Sequence, residues 1–559
     1  MKTSTKSFRP ANSSDNRTSI VTLRVLIALG LLALLYYYSW WANFPGVVSP
    51  WLEMPISFAW PWRIMMLALT TIYCTAQLLG NWMLYLTAYK RPATPAPTRS
   101  FTVDIFVTAY NEPFALIKRS LSAACRMRGA HNTWLLDDGN DPMLALLAKQ
   151  LGAGYLTRTG HKYAKAGNVN AALARTRGEI VVIFDADHAP ECDFLEKTLG
   201  YFNDPSIGFV QVMLTFSNAK QSWLARAANE TSLDYYNPTS LGADGVGGTT
   251  LVGSNALIRR KALASIGGYQ PGLAEDLATS IALHAGGWHS VYVAEPLAPG
   301  MAPPDAAAWF TQQFKWSRGV FELLLTSYPR YFSRLTWGMR LSYAVRMTYY
   351  WIGLPVALHI ILTIALLMNG TPTGWATFEQ YLLHVLPLGL IYLLIRQVAL
   401  RRYRHPLVVA GLLWRAIVLV YATWPIYTLS WIMAVFRIPL GFRMTPKTAA
   451  GALNPLWILP QLVTLLLLGG GAIYLLVGLD DYRAALLLAC AVIQCLPMVG
   501  LLWQSLRSVE AETIFESSDL AMSDPASLEV GLMRLNSGAS PPIPSYEEAV
   551  AVAETAGNN

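Results

Sequence analysis

Ile180-Val181-Val182-Ile183-Phe184-Asp185-Ala186-Asp187 places five apolar residues, four of them β-branched, directly ahead of two aspartates. Such a run reads as a strand buried on both faces, as in a parallel sheet. The aspartates then stand at its carboxyl end, where open α/β sheets bind ligands. Two carboxylates two residues apart on a turn can share a hard divalent cation such as Mg2+ or Mn2+, which in turn can hold a diphosphate. A solvated aspartate at a strand end is the plainer alternative.

Outward from this segment the pattern repeats. Apolar runs of strand length at Val103–Ala109, Thr133–Leu136, Phe209–Val212 and Ser290–Val293 alternate with helical patterns and Gly/Asp/Asn turns. This predicts one mostly parallel α/β domain over residues 100–335, long enough to bury a core of its own.

The chain around that domain is apolar. Its 559 residues are 53% hydrophobic and 14% charged, with a mean hydropathy of +0.34. That excludes an ordinary soluble enzyme and predicts a membrane protein carrying a globular part. The net charge of +8 lies in clusters beside apolar stretches, as on cytoplasmic flanks of membrane helices, and predicts no nucleic-acid partner. Cys74, Cys125, Cys192, Cys490 and Cys495 show no CxxC and no zinc spacing, so no disulfide framework is expected. The histidines are scattered, and a histidine metal site is not expected.

Residues 1–19 are polar and basic without an A-x-A-like site, which reads as a cytoplasmic tail before an uncleaved span. Residues 20–99 hold two predicted membrane helices, Ile20–Trp41 and Ile64–Tyr89, each longer than the roughly 20 residues a crossing takes. Lys90, Arg91 and Arg99 follow, which puts the N-terminus and the α/β domain in the cytoplasm of a multi-pass plasma (inner) membrane protein. Residues 336–507 contain the apolar runs Leu341–Met368, Phe378–Ile395, Leu407–Phe436, Leu456–Val477 and Ala484–Trp503. Segment 407–436 has basic flanks on both sides and carries Arg415 and Pro425, so a broken helix at the cytoplasmic interface is expected there. That gives six crossings, against seven by the simpler hydropathy count. Residues 508–559 are acidic and rich in Ser and Pro, which predicts a disordered tail.

Candidate chemistry falls at the strand ends. Thr108, Tyr110 and Glu112 form a polar turn after the first strand where a nucleotide could dock. Asp137-Asp138-Gly139 can accept hydrogen bonds from a base or ribose, with glycine permitting close approach. In His161–Asn170, Lys165 suits a phosphate oxygen beside a helix N-terminus, or is simply a solvated lysine. The run Gly245–Asn255 reads as a wall of an acceptor site or as a plain loop before a helix. Ala274-Glu275-Asp276, ahead of the helical pattern Leu277–Ala285, offers either an N-cap or a general base for a hydroxyl acceptor. Gln312, Lys315 and Trp316 lie on an amphipathic stretch. Lys315 could neutralise a leaving diphosphate and Trp316 could stack on a sugar face, unless the stretch is only an interface anchor.

The ordered set DDG, KAGNxN, DxD, an ED dipeptide and QxxKW, flanked by membrane helices, resembles the processive family 2 glycosyltransferases, most closely the cellulose-synthase type. Phe442-Arg443-Met444-Thr445-Pro446-Lys447 is similar to that family's FxVTxK gating loop, and the resemblance covers about residues 20–505. It implies an α/β GT-A (Rossmann-like) cytoplasmic domain inserted between α-helical transmembrane segments. It also implies UDP-glucose as donor, a growing β-glucan as acceptor, Mg2+ or Mn2+ as cofactor, inversion at the anomeric carbon, and a channel for the product. Asp137 and Asp138 match the nucleotide-contacting DDG, Asp185 and Asp187 the metal and diphosphate site, and Asp276, beside Glu275, the catalytic base. Gln312, Lys315 and Trp316 match the residues that hold diphosphate and acceptor. Phe442, Thr445 and Lys447 match the loop, within 437–452, that closes over the donor. Membrane lipid and an accessory export subunit are further expected partners.

Two departures bear on this. Lys315 stands where the family has Arg, which keeps the charge but loses bidentate geometry, and Arg318, about one turn on, is a candidate helper. Met444 replaces Val. With no room after residue 505 for a cyclic-di-GMP-binding β-barrel, control by that nucleotide within the chain is not expected. β-1,3 or mixed linkage, another sugar nucleotide (GDP-mannose or UDP-N-acetylglucosamine), a lipid acceptor, and a transporter or scaffold remain alternatives.

Overall fold

The computed structural model describes residues 13–42, 59–91, 94–368, 378–403, 413–441, 455–478 and 484–506. The gating-loop residues Phe442, Thr445 and Lys447 and the acidic tail lie outside them.

Seven strands form one sheet in the order β3-β2-β1-β4-β6-β5-β7. They are β1 (Val103–Ala109), β2 (Asn132–Asp137), β3 (Gly154–Leu156), β4 (Ile180–Asp185), β5 (Ile207–Val212), β6 (Ala256–Arg259) and β7 (His289–Val293). All neighbours pair in parallel except β4–β6 and β5–β6. The central β4 shows why its sequence is apolar throughout. Ile180, Val182 and Phe184 pack on one side of the sheet with Ile117, Leu121, Leu144 and Leu147, from helices α3 (Phe114–Cys125) and α4 (Pro142–Gln150). Val181 and Ile183 pack on the other with Ala166, Val169 and Ala172 of α5 (Ala164–Arg175). Each buried Val, Ile, Leu or Phe among them is worth roughly 1.5–3 kcal/mol.

Two strands were not expected. β3 has only three residues, and β6 is an antiparallel insertion where the sequence suggested a helix after Gly245–Asn255. Ala256–Arg259 runs straight into the short helix Arg260–Ser265, so no period-2 pattern has room to show.

Two apolar helices, α1 (Ser13–Ala42) and α2 (Ala59–Thr87), precede the sheet, and further apolar helices follow it. Helix α6 (Trp223–Asp234) follows β5, α7 (Glu275–Ala285) separates β6 from β7, and α8 (Ala306–Leu325) and α9 (Trp337–Met347) follow β7. Asp305 caps α8 by accepting from Ala308 N at 2.8 Å. The expected span 341–368 divides. Its first part belongs to α9, whose Met339, Tyr343 and Met347 are buried against Leu277 and Ile281 of α7. The stretch apolar enough to cross begins only at Tyr349.

After α10 (Gly353–Met368) come α11 (Phe378–Tyr403), α12 (Trp414–Ala422), α13 (Trp424–Val435), α14 (Leu459–Gly478) and α15 (Ala484–Leu506). Among the described residues four helices are long and apolar enough to cross a membrane, or five if α12 and α13, bent by 48° at their junction, form one span. Pro425 at the start of α13 explains the break. Arg415 on α12 donates to Glu230 of α6 at 2.9 Å, so the charge inside this apolar segment meets an acid of the α/β domain. Beyond α2, Arg91 binds the buried Asp244 through both Nε (2.7 Å) and Nη2 (2.9 Å).

Candidate active site

A cavity of about 1000 Å3 opens at the carboxyl ends of β1, β2 and β4 and continues among the apolar helices. Thr108, Tyr110, Glu112, Asp138, Lys165, Asp185, Asp187, Glu275, Asp276, Gln312, Lys315 and Trp316 all line it. The parallel register, with Ala109 opposite Asp137 and Thr108 opposite Asp185, brings three strand ends to one edge.

Asp137 is the exception. It is fully buried, and its oxygens accept from Gly139 N (2.7 Å), Asp141 N (2.8 Å) and Tyr155 Oη (2.8 Å). It shapes the turn, while Asp138 faces the cavity. Asp138 is held by Arg158 through two bonds of 2.6 and 2.7 Å. Arg158 also donates to the carbonyls of Lys162 and Ala164, and a side chain on Gly167 would collide with this guanidinium. No local pattern marks Arg158 in the sequence. It follows the short β3 and finds Asp138 only through the fold. Beyond the end of β1, the Tyr110 and His161 rings lie 5.5 Å apart. Thr108 donates to the Phe184 carbonyl at 3.3 Å, and Glu112 accepts from Tyr110 N at 2.5 Å.

At the end of β4, Lys165 ion-pairs with Asp185 and donates to the Gly253 carbonyl at 2.5 Å. Burial works against ionisation of Asp185, but the neighbouring Lys165 and His188 hold its carboxyl below the usual range. Asp187 accepts from Met301 N at 2.9 Å and lies 3.4 Å from His188 Nδ1. Donor atoms of Asp185, Asp187 and His188 fall within 4.8 Å of one another. His188 thus stands beside the two aspartates, where the sequence had suggested no histidine. His188 is buried, and neither ring nitrogen has a hydrogen-bond partner among the described residues. Gly300 makes the room, since a Cβ there would come 2.5 Å from Nε2. Two carboxylates and an imidazole with an open lone pair fit a divalent ion such as Mn2+ or Mg2+. The adjacency Asp187-His188 was visible in the sequence; the scatter of the other histidines obscured it.

Glu275 and Asp276 occupy the first turn of α7, with Leu277 N donating to Asp276 Oδ1 at 2.7 Å. Burial and the Asp276 charge push the Glu275 carboxyl up to about 7. Burial also raises Asp276, opposed by Arg346, Lys165 and Lys315. On α8, Gln312 is buried, Gln313 accepts from Tyr427 Oη at 3.0 Å, and Trp316 is 37% exposed. Arg318 does not assist Lys315. It is buried away from the cavity and donates to Glu322 (2.9 Å) and to the Ile438 carbonyl (3.0 Å).

Residues 100–319 match the family described as Glycosyltransferase like family 2. The chain is 29% identical over 381 residues to a cellulose synthase catalytic subunit (UDP-forming) of Pseudomonas fluorescens (strain SBW25), covering 66% of this chain and 50% of that one. The α/β domain carries the family 2 glycosyltransferase pattern over these residues. Cellulose synthase 2 of Novacetimonas hansenii is 33% identical over 287 residues, or 49% of this chain and 18% of that one. The chain thus spans half or less of the length of these relatives. A mannosyltransferase of Pyrobaculum calidifontis, solved with GDP-Man and Mn2+, aligns at a TM-score of 0.42 and 18% identity over 78% of this chain and 99% of that one.

Beyond the acids and Trp316, the cavity changes character. It is walled by tyrosines, among them Tyr235, Tyr349, Tyr350 and Tyr427, and by Gln77 and Asn81 of helix α2.

Proposed function

We propose that this chain is an inverting, processive glucosyltransferase that moves glucose from UDP-glucose to the end of a growing β-glucan and passes the product outward among its own membrane helices. One observation carries the reading: a single cavity holds the acids at the strand ends and Trp316, and runs on past tyrosines and amides of the apolar helices. A polar polymer needs such a protein-lined path, because hydrocarbon offers it none.

In this reading Asp138, fixed by Arg158, faces the nucleoside beside Tyr110 and His161, with Asp137 shaping that turn. Lys165, Lys315 and Gln312 meet the diphosphate. Asp185, Asp187 and His188 hold the Mg2+ or Mn2+, which when bound supplies positive charge to the leaving group. Asp276 takes the proton of the acceptor hydroxyl. That oxygen bonds to the anomeric carbon as the bond from this carbon to the diphosphate oxygen breaks, which inverts the configuration. Trp316 presents its face to the acceptor sugar, and Glu275, next to Asp276 in the chain, tunes the base. Phe442, Thr445 and Lys447 are assigned to closure over the donor on the strength of the resemblance.

We place the glycosyltransferase domain in the cytoplasm and the chain in the plasma (inner) membrane, with six crossings and α12–α13 at the cytoplasmic interface. The Arg415–Glu230 pair supports that position for α12. An accessory export subunit receives the polymer on the far side.

Membranes containing only this chain test the activity: label from UDP-glucose, supplied with Mg2+ or Mn2+, should enter an ethanol-insoluble product that a β-1,4-glucanase removes. Product lost to a β-1,3-glucanase instead would reassign the linkage. Label accepted only from GDP-mannose or UDP-N-acetylglucosamine would overturn the donor.

A further inference from the structure

Arg346 stands next to the last residue of α9, where the helix packed on the glycosyltransferase domain gives way to the apolar stretch from Tyr349. It lines the cavity together with Asp276 and Trp316. Its Nη1 donates to the hydroxyls of Tyr235 and Thr250, and its guanidinium lies 4.9 Å from the Tyr235 ring centroid. Both hydrogen-bond partners are neutral. By contrast Arg396, in the same cavity wall, is matched by Asp234 at 2.5 Å. Tyr235 itself opens a single π-type turn, Tyr235–Thr239, directly after α6. Such turns mark functional sites more often than ordinary helix does.

A guanidinium held by neutral hydroxyls in a partly buried wall is costly unless its remaining N–H groups find oxygen. Arg346 itself lines the cavity. The cations around the base already face acids, with Lys165, Lys315 and Arg346 acting on Asp276, and Lys165 and Lys315 on Glu275. An anionic acceptor is therefore not called for, whereas a ligand dense in neutral hydroxyl and ring oxygens is. We propose that Arg346, fixed by Tyr235 and Thr250, is an acceptor-positioning residue that donates to oxygen atoms of the terminal sugars of the polymer between Trp316 and the membrane-side part of the cavity. This rests on the polysaccharide reading above and adds to it a residue that no sequence motif marked.

The test uses the detergent-solubilised full chain and its Arg346→Met and Arg346→Lys variants. Binding of cellotetraose and of UDP is measured by calorimetry, and polymer length from UDP-glucose by gel filtration of the label. Arg346→Met should weaken cellotetraose binding by about tenfold or more and shorten the product, with UDP affinity unchanged, and Arg346→Lys should recover part of the loss. Cellotetraose bound equally by wild type and Arg346→Met would overturn the proposal. So would parallel loss of cellotetraose and UDP binding in both variants, which would make Arg346 structural. If wild type itself neither bound cellotetraose nor used UDP-glucose, the glucan reading would fall first, and this role with it.

Discussion

Lys165 and Asp185 form an ion pair at the carboxyl end of β4, and Lys165 also reaches the Gly253 carbonyl at 2.5 Å. The lysine of the KAGN segment thus already sits at the carboxylate assigned to the metal and diphosphate. Lys165→Met should lower UDP affinity by about tenfold or more, since a charge-assisted contact is worth about 1.5–3 kcal/mol. Titration calorimetry with UDP reads this directly, and an unchanged affinity would remove Lys165 from the donor site.

Arg158 is the partner that Asp138 needs. Arg158→Met leaves a buried carboxylate without its counter-charge, which typically costs about 3–5 kcal/mol. Thermal unfolding of the purified protein should shift down by several degrees, with donor binding lost in parallel. Arg158→Lys, which keeps charge without the fork, should fall between the two.

His188→Ala should weaken Mn2+ binding by about tenfold or more, by analogy with the cost of losing even an outer partner of a metal ligand. Mn2+ electron paramagnetic resonance on the protein without donor reads the affinity independently of turnover. Gly300→Ala should do part of the same, because its Cβ would stand 2.5 Å from His188 Nε2 and push the ring aside.

The pH dependence follows from the acids of α7. A general base acts deprotonated, so activity is lost as pH falls through its pKa. Burial raises Asp276, and the paired Glu275 is pushed up to about 7. The acid limb of kcat/KM for UDP-glucose should therefore lie nearer neutrality than the usual carboxylate range. Glu275→Gln removes a like charge beside Asp276 and should move that limb to lower pH. A limb that stays in place would separate Glu275 from the base.

Much of this was legible in the sequence because apolar strands and their terminal acids are local features. Val103–Ala109 is the observed β1, and β4 extends its predicted run by one residue, Asp185. What the sequence hid depends on the folded chain. β3 and β6 are too short to show a period, and Ala256–Arg259 became a strand because β4 and β5 flank it on both sides. Arg158 and Arg346 have partners twenty to more than a hundred residues away. Asp137 and Asp138 look alike in the sequence, yet opposite orientations give one to the turn and the other to the cavity. Arg415 looked like a misplaced charge in a membrane helix until Glu230 appeared beside it.

The central claim, synthesis and export by one chain through one cavity, is tested most directly in sealed proteoliposomes containing only this protein. UDP-[3H]glucose is supplied to molecules whose glycosyltransferase domain faces outward, with Asp276→Asn as the matched blank. The account predicts labelled polymer that resists added glucanase until detergent opens the vesicles, and none from the Asp276→Asn protein, which still binds UDP. Polymer digested without detergent, or made equally well by the Asp276→Asn protein, would contradict it.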